Sequence, residues 1–230
     1  MAAGDPVRLV VFDCDGTLVD SQHHIVAAMT AAFQAHGLAD PPAAAVLSLV
    51  GLPPAVMAAA LLPALPAGRH HAVAEAYRQA FFARRQRPGH REPLYPGAER
   101  TLRELGTAGY LLGIATGKSR RGLDATLGAH GLLQHFATVQ TADLARGKPD
   151  PDMLHRAMAE VGAEPSETLL VGDTTYDMQM ARSAGVRAIG VVWGYHAPGA
   201  LLAAGAHCVI EDFASLAPLA TALIGGGPCV

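Results

Sequence analysis

Asp13 and Asp15 stand two residues apart at the end of an apolar run, in Arg8-Leu-Val-Val-Phe-Asp-Cys-Asp-Gly-Thr17. Carboxylates so placed can serve as a nucleophile, as an acid and base, or as ligands for a hard cation. Taken alone, the pair is equally compatible with a strand-ending turn in which one aspartate caps the next helix. Two more polar groups follow apolar runs in the same way. Leu112-Gly-Ile-Ala115 leads into Thr116-Gly117-Lys118, and Leu169-Leu-Val-Gly172 leads into Asp173, with Asp177 four residues on. Singly, Thr116 reads as a loop hydroxyl and Asp177 as an acidic residue favoured by the dipole of a helix's first turn. Lys148, in Arg146-Gly-Lys-Pro-Asp150, is one of only two lysines in a chain that otherwise uses arginine, so a solvated-surface reading is weaker for it than usual. The other, Lys118, either approaches a substrate or starts the next helix, with Arg120 and Arg121 on a solvated face.

In an open parallel α/β sheet, ligands bind outside the carboxyl ends of the strands, an architecture that would gather these four places. Apolar segments of strand length occur at Leu9 to Phe12, Leu111 to Ala115, Thr168 to Val171, Val186 to Val192 and Cys208 to Ile210. Between the later ones lie segments of helical spacing. Asp150 to Val161 has Pro151 near its start and Gly162 past its end, and Thr174 to Ala184 is followed by Gly185, matching the residue preferences of helix termini. Alternating strands and helices predict an α/β fold with a doubly wound parallel sheet. From about Leu18 to Arg91 no strand candidate appears, and the pattern is helical over Ile25 to Ala35, Pro54 to Leu62 and Arg69 to Arg85. This predicts a helical insert, residues 18–92, in a core formed by 1–17 and 93–230. Asp20-Ser21 marks its entry and the turn-rich stretch from Arg87 to Gly97 its exit. Cys14 should face away from its two aspartates and pack in the core. His23 and His24 open the insert at a surface or hinge position, His70-His71 reads as exposed, and the tail Gly225 to Pro228 should fray.

The order Asp-x-Asp-Gly-Thr, Thr-Gly-Lys, Gly-Lys-Pro and Gly-Asp-x-x-x-Asp, spanning Asp13 to Asp177, resembles the four motifs of the haloacid dehalogenase superfamily of phosphohydrolases. Leu94-Tyr-Pro-Gly97 and Ala181-x-x-Ala-Gly185 resemble its phosphoglycolate phosphatase-like branch, which carries a helical cap between the first and second motifs. The resemblance implies that Asp13 is the nucleophile, forming an aspartyl-phosphate that water hydrolyses. Asp15 would protonate the leaving oxygen and then take a proton from the attacking water. Thr116 and Gly117 would bind the phosphate oxygens, and Lys148 would set a fixed positive charge against the transferring group. Gly16 permits the tight turn and Thr17 would brace it. Four carboxylates beside a phosphate dianion call for a cation, since two like charges at 4 Å repel by about 4 kcal/mol even at an effective dielectric of 20. The implied cofactor is Mg²⁺, held by the Asp13 carboxylate, the Asp15 backbone carbonyl and Asp173, with Asp177 either a ligand through water or a partner of a ligand.

Composition bounds these expectations. The 230 residues are 50% hydrophobic and 16% charged, which excludes a disordered chain. A formal net charge of -3 offers no large basic field for nucleic acid, so the expected partner is a small phosphorylated metabolite. No signal-like opening and no bilayer-length apolar run is apparent. Cys14, Cys208 and Cys229 show no Cys-x-x-Cys pairing, so neither a disulfide framework nor a zinc site is indicated, and a cytoplasmic location is expected. The resemblance disfavours the namesake dehalogenase reaction, which needs no second aspartate in the first motif. It equally disfavours a Schiff-base hydrolase, because residues 18–91 contain no lysine. A sugar phosphomutase of the same fold and a catalytically retired metabolite-binding protein stay open as alternatives to a phosphatase acting on phosphoglycolate or a similar ester.

Overall fold

The computed structural model describes residues 7–87, 89–224 and 226–227. Gly225 and Pro228 of the tail, and Cys229, lie outside the described residues. Among those described, six parallel strands, β1 (Leu9–Phe12), β2 (Leu111–Thr116), β3 (Phe136–Thr141), β4 (Thr168–Gly172), β5 (Arg187–Val191) and β6 (Cys208–Ile210), form one sheet in the order β3-β2-β1-β4-β5-β6. This is the expected doubly wound α/β sheet. The edge strand β3 escaped the sequence reading. Its Phe-Ala-Thr-Val-Gln-Thr alternates buried with exposed or half-buried positions, so it lacks the continuous apolar run that marks a strand covered on both faces.

The helices are α1 (Gln22–Ala35), α2 (Ala43–Leu47), α3 (Pro54–Leu61), α4 (Ala67–Arg85), α5 (Ala98–Thr107), α6 (Arg120–Ala129), α7 (Asp152–Val161), α8 (Thr175–Ser183), α9 (Pro198–Ala204) and α10 (Leu216–Ile224). Side chains alternate across β1, whose four residues are fully buried. Val10 and Phe12 pack with Leu102 and Leu105 of α5, Leu123 and Leu127 of α6 and Leu216 of α10. Leu9 and Val11 face Met153 and Leu154 of α7 and Met178 and Ala181 of α8. Each such side chain contributes roughly 1.5 to 3 kcal/mol by leaving water, which makes β1 a rigid base for the residues that follow it.

Helices α1 to α4 have an apolar centre of their own, in which Ile25, Met29 and Phe33 meet Met57, Ala58 and Val73. The chain enters and leaves this unit through paired segments: Asp20 N–H donates to the Pro93 carbonyl at 2.8 Å, and Tyr95 N–H donates to the Leu18 carbonyl at 2.9 Å. His24 lies at the same junction, its Nε2 bonded to the Arg91 carbonyl at 2.8 Å. The far side is pinned as well. The Ser48 carbonyl accepts from Tyr176 Oη at 3.1 Å and from His196 Nε2 at 3.0 Å, while His196 Nδ1 accepts from Thr175 N–H at 3.0 Å. Glycines allow the connecting loop to lie against the core: a Cβ on Gly117 would stand 3.1 Å from the Gly51 carbonyl oxygen, and one on Gly147 would stand 2.5 Å from Pro53 Cγ.

Cys14 is a free, fully buried thiol in the core. Cys208 is disulfide-bonded, which corrects the expectation from cysteine spacing that no disulfide framework is indicated. Among the described residues no helix is long and apolar enough to cross a membrane.

Candidate active site

The strand order reverses direction between β1 and β4, which leaves a crevice beyond their carboxyl ends. Asp13 follows β1 and Asp173 follows β4, and Asp13 N–H donates to the Val171 carbonyl at 2.9 Å. Asp177 joins them from the first turn of α8. Thr174 caps this helix, and Asp177 Oδ2 accepts from Thr174 N–H at 3.1 Å and from its hydroxyl at 2.7 Å. That reciprocal cap fixes the carboxylate and turns Oδ1 inward. Lys148 Nζ lies 2.6 Å from Asp177 Oδ1, an ion pair without hydrogen-bond alignment, and 2.9 Å from Asp13 Oδ1. Asp13 Oδ1 also accepts from Cys14 N–H at 2.6 Å. Asp173 is held through both oxygens, Oδ1 by the Thr17 hydroxyl at 2.8 Å and Oδ2 by Tyr195 N–H at 2.9 Å. Thr17 therefore braces the first loop against the last motif.

Two glycines make room for this packing. Gly16 has φ +85°, and a Cβ there would stand 2.3 Å from Asp173 Oδ2; a Cβ on Gly194 would stand 2.1 Å from Asp173 Cβ. Asp13, Asp173 and Asp177 are buried and offer carboxylate oxygens all within 4.8 Å of one another. Three carboxylates face one lysine, and the electrostatics reflect the imbalance. Burial pushes the Asp13 carboxyl up to about 7, opposed by Lys148 and reinforced by Asp177. Burial likewise holds Asp173 well above the usual carboxylate range, with Asp13 and Asp177 acting in the same direction. Burial alone would lower Lys148, but Asp13 and Asp177 outweigh it and hold its ammonium more firmly protonated.

Asp15 stands apart from this triad. Its Oδ1 lies 2.7 Å from Lys118 Nζ and accepts from the Ser21 hydroxyl, which is also 3.3 Å from Tyr195 Oη. Of the two readings of Lys118, the structure gives the one that faces the site; its burial would lower the pKa, yet Asp15 and Glu92 raise it overall. Arg120 and Arg121 are exposed on α6. At the end of β2, the fully buried Thr116 hydroxyl accepts from Lys118 N–H at 3.2 Å. Asp13, Asp15, Thr116, Gly117 and Lys118 line one wall of a cavity of about 640 Å³, and α4 with the loop after α2 lines the other. Lys148 is sealed behind the triad.

Glu92 was missed. It is almost fully buried, 3.3 Å from Lys118 Nζ, 3.1 Å from Arg85 Nη2 and 2.6 Å from the Thr126 hydroxyl that donates to it. Burial would raise its carboxyl, but Lys118 and Arg85 overcome that and depress it to about 2. The one available signal was a lone acidic residue in the basic, turn-rich stretch from Arg87 to Gly97. Ser21 was read only as the entry to the insert and not as a partner of Asp15, while Tyr195 and Gly194 carried no signal, because Tyr195 meets Ser21 across 174 residues of sequence and Gly194 acts through a close backbone approach.

The fold and site together define an α/β protein of the doubly wound class with a carboxylate and lysine centre at its switch point. Residues 10–191 match the family model described as haloacid dehalogenase-like hydrolase, and the chain belongs to that family. It is 37% identical over 94% of its length to "Probable phosphatase IndB" of Dickeya dadantii, 94% of which is covered. It is 35% identical over 91% of its length to "Phosphoglycolate phosphatase" of Rhodospirillum rubrum, 89% of which is covered. Among solved structures, a hydrolase from Pseudomonas syringae superposes with a TM-score of 0.80 at 28% identity, over 90% of this chain and 94% of that one.

Proposed function

We propose that this chain is a Mg²⁺-dependent phosphatase that hydrolyses a small phosphate monoester through an aspartyl-phosphate on Asp13. The observation that carries the reading is the buried Lys148, paired at once with Asp13 and Asp177 beside Asp173. The names of the relatives support the phosphatase class.

Both contacts of the Asp13 carboxylate fall on Oδ1, so Oδ2 is the oxygen for attack on phosphorus. As the Oδ2–P bond forms, the ester P–O bond breaks and its electron pair goes to the leaving oxygen, which takes a proton from Asp15. Lys118 and Ser21 fix Asp15 through Oδ1, leaving Oδ2 for this transfer. In the second step Asp15 takes a proton from water as that water attacks phosphorus, the P–O bond to Asp13 breaks, and the carboxylate is regenerated with release of inorganic phosphate. The Thr116 hydroxyl and the N–H of Gly117 hold the phosphoryl oxygens, and the ammonium of Lys148 offsets their charge. The all-oxygen donor set of Asp13, Asp173 and the Asp15 carbonyl, with Asp177 adjoining, fits a hard divalent cation such as Mg²⁺. When bound there it would neutralise charge between nucleophile and phosphate. Residues 18–92 act as a cap that shields the first step from solvent.

The test is phosphate release from a panel of phosphorylated metabolites with Mg²⁺, starting with the ester in the name of the Rhodospirillum rubrum relative, 2-phosphoglycolate. Turnover by the wild type and its loss in Asp13→Asn are expected. Isomerised sugar phosphate without free phosphate, or no turnover on any ester, would overturn the reading.

A further inference from the structure

We propose that the preferred ester carries a ring, or an apolar body of similar size, on its leaving alcohol, and that a two-carbon acid such as glycolate is not the leaving group this site is shaped for. The inference rests on the phosphatase reading above and concerns the same cavity.

The cavity is too large for a two-carbon acid. A cavity of about 640 Å³ falls in the range of roughly 300 to 1,000 Å³ that accommodates whole drug-sized ligands. Its α4 wall runs from Glu75 to Arg85, eleven residues or about 16 Å of helix. A glycolate moiety would leave most of that length unfilled.

Beyond the reacting residues the lining is mixed: Ile25, Val50, Met57, Tyr77, Phe81 and Phe82 form its apolar part, and charged and amide side chains of α4 and α6 complete it. A glycolate carboxylate would need a free cation, because a buried charge without a partner is unstable. The cations that line the cavity are mostly occupied. Arg78 pairs with Glu75 at 3.2 Å, Arg85 with Glu92 at 3.1 Å, and Lys118 with both Asp15 and Glu92. Two of these also lie over the Phe81 ring, Arg85 at 4.7 Å and Lys118 at 5.0 Å from its centre. Arg121 is the exception: among the described residues it has no carboxylate partner, and its guanidinium sits 3.8 Å above the ring of Phe82. Phe82 keeps 40% of its surface exposed although it lines the cavity. A planar cation on an exposed phenyl ring is a platform for a second ring, and Phe82 supplies it from the α4 wall.

The experiment compares kcat/KM for 2-phenylethyl phosphate, ethyl phosphate and 2-phosphoglycolate with Mg²⁺. The first two leave as simple alcohols of similar acidity, so their ratio reports binding of the ring. The phenylethyl ester is expected to exceed each of the others at least ten-fold, about 1.4 kcal/mol of transition-state binding. Phe82→Ala should lower the ratio of phenylethyl to ethyl ester about five-fold, the size of one aromatic contact. A ratio near one, or 2-phosphoglycolate as the best ester, overturns the inference while leaving the phosphatase reading intact. If none of the three is hydrolysed, the metabolite panel described above decides the phosphatase reading. Calorimetric binding of 3-phenylpropylphosphonate against 3-phosphonopropionate then decides the inference alone: tighter binding of the phenyl compound supports it, and equal or weaker binding overturns it.

Discussion

Glu92→Gln isolates the charge that Lys118 and Arg85 share beside Asp15. The glutamate carboxyl lies at about 2 against an ordinary value of 4.5, a difference worth roughly 3 kcal/mol at 1.36 kcal/mol per unit. Because its folded-state pKa is depressed, this stability is present in full above about pH 5 and is lost as pH falls toward 2. At pH 3.5 the same two pKa values leave about 2 kcal/mol. Glutamine keeps the shape of a protonated glutamate and leaves Arg85 and Lys118 without their shared anion, so it should behave as a glutamate that can never ionise. Urea denaturation of both proteins at pH 7 and pH 3.5 provides the assay. The gap between them should be roughly 3 kcal/mol at pH 7 and should narrow by about 1 kcal/mol at pH 3.5. A gap below 1 kcal/mol at neutral pH, or one independent of pH, would refute the reasoning that the buried cations hold Glu92 ionised.

Lys148→Met removes the buried cation facing two carboxylates and should lower kcat at least about 10²-fold, the scale of a lost electrostatic contact to a developing charge; a kcat within three-fold of wild type would remove Lys148 from the mechanism. Gly194→Ala would set a methyl 2.1 Å from Asp173 Cβ, so displacement of that carboxylate should raise the Mg²⁺ concentration needed for half-maximal activity, with about 1 to 3 kcal/mol of overpacking cost. An unchanged Mg²⁺ titration would show that Asp173 is not a ligand. Chelation by EDTA should silence the enzyme and added Mg²⁺ should restore it, whereas full turnover in EDTA would contradict the metal assignment.

Much of the site was legible because Asp13 and Asp173 each follow, and Thr116 ends, a strand that advertises itself. Val10, Val11 and Phe12 are apolar on both faces, so the sequence shows where β1 ends and therefore where Asp13 emerges; the same holds for Asp173 after Leu169 to Gly172. Lys148 stood out because the chain uses only two lysines. Edge strand β3 was not legible, since one-sided burial breaks its apolar run. Nor was the role of Lys118, which depends on Glu92, a residue 26 positions away that only the fold brings beside it. Gly194 was hidden for a different reason. Nothing about an isolated glycine shows that a carboxylate side chain must pass where its Cβ would be.

On this reading Asp13 carries the phosphoryl group. Wild-type protein mixed with a hydrolysed ester and Mg²⁺, quenched in acid during turnover and reduced with borohydride, should convert the acyl phosphate at position 13 to homoserine, read by mass spectrometry of the peptide holding residues 8–17. Homoserine is expected at position 13 alone, dependent on substrate. Turnover without any modified aspartate, or a label at another residue, would contradict it.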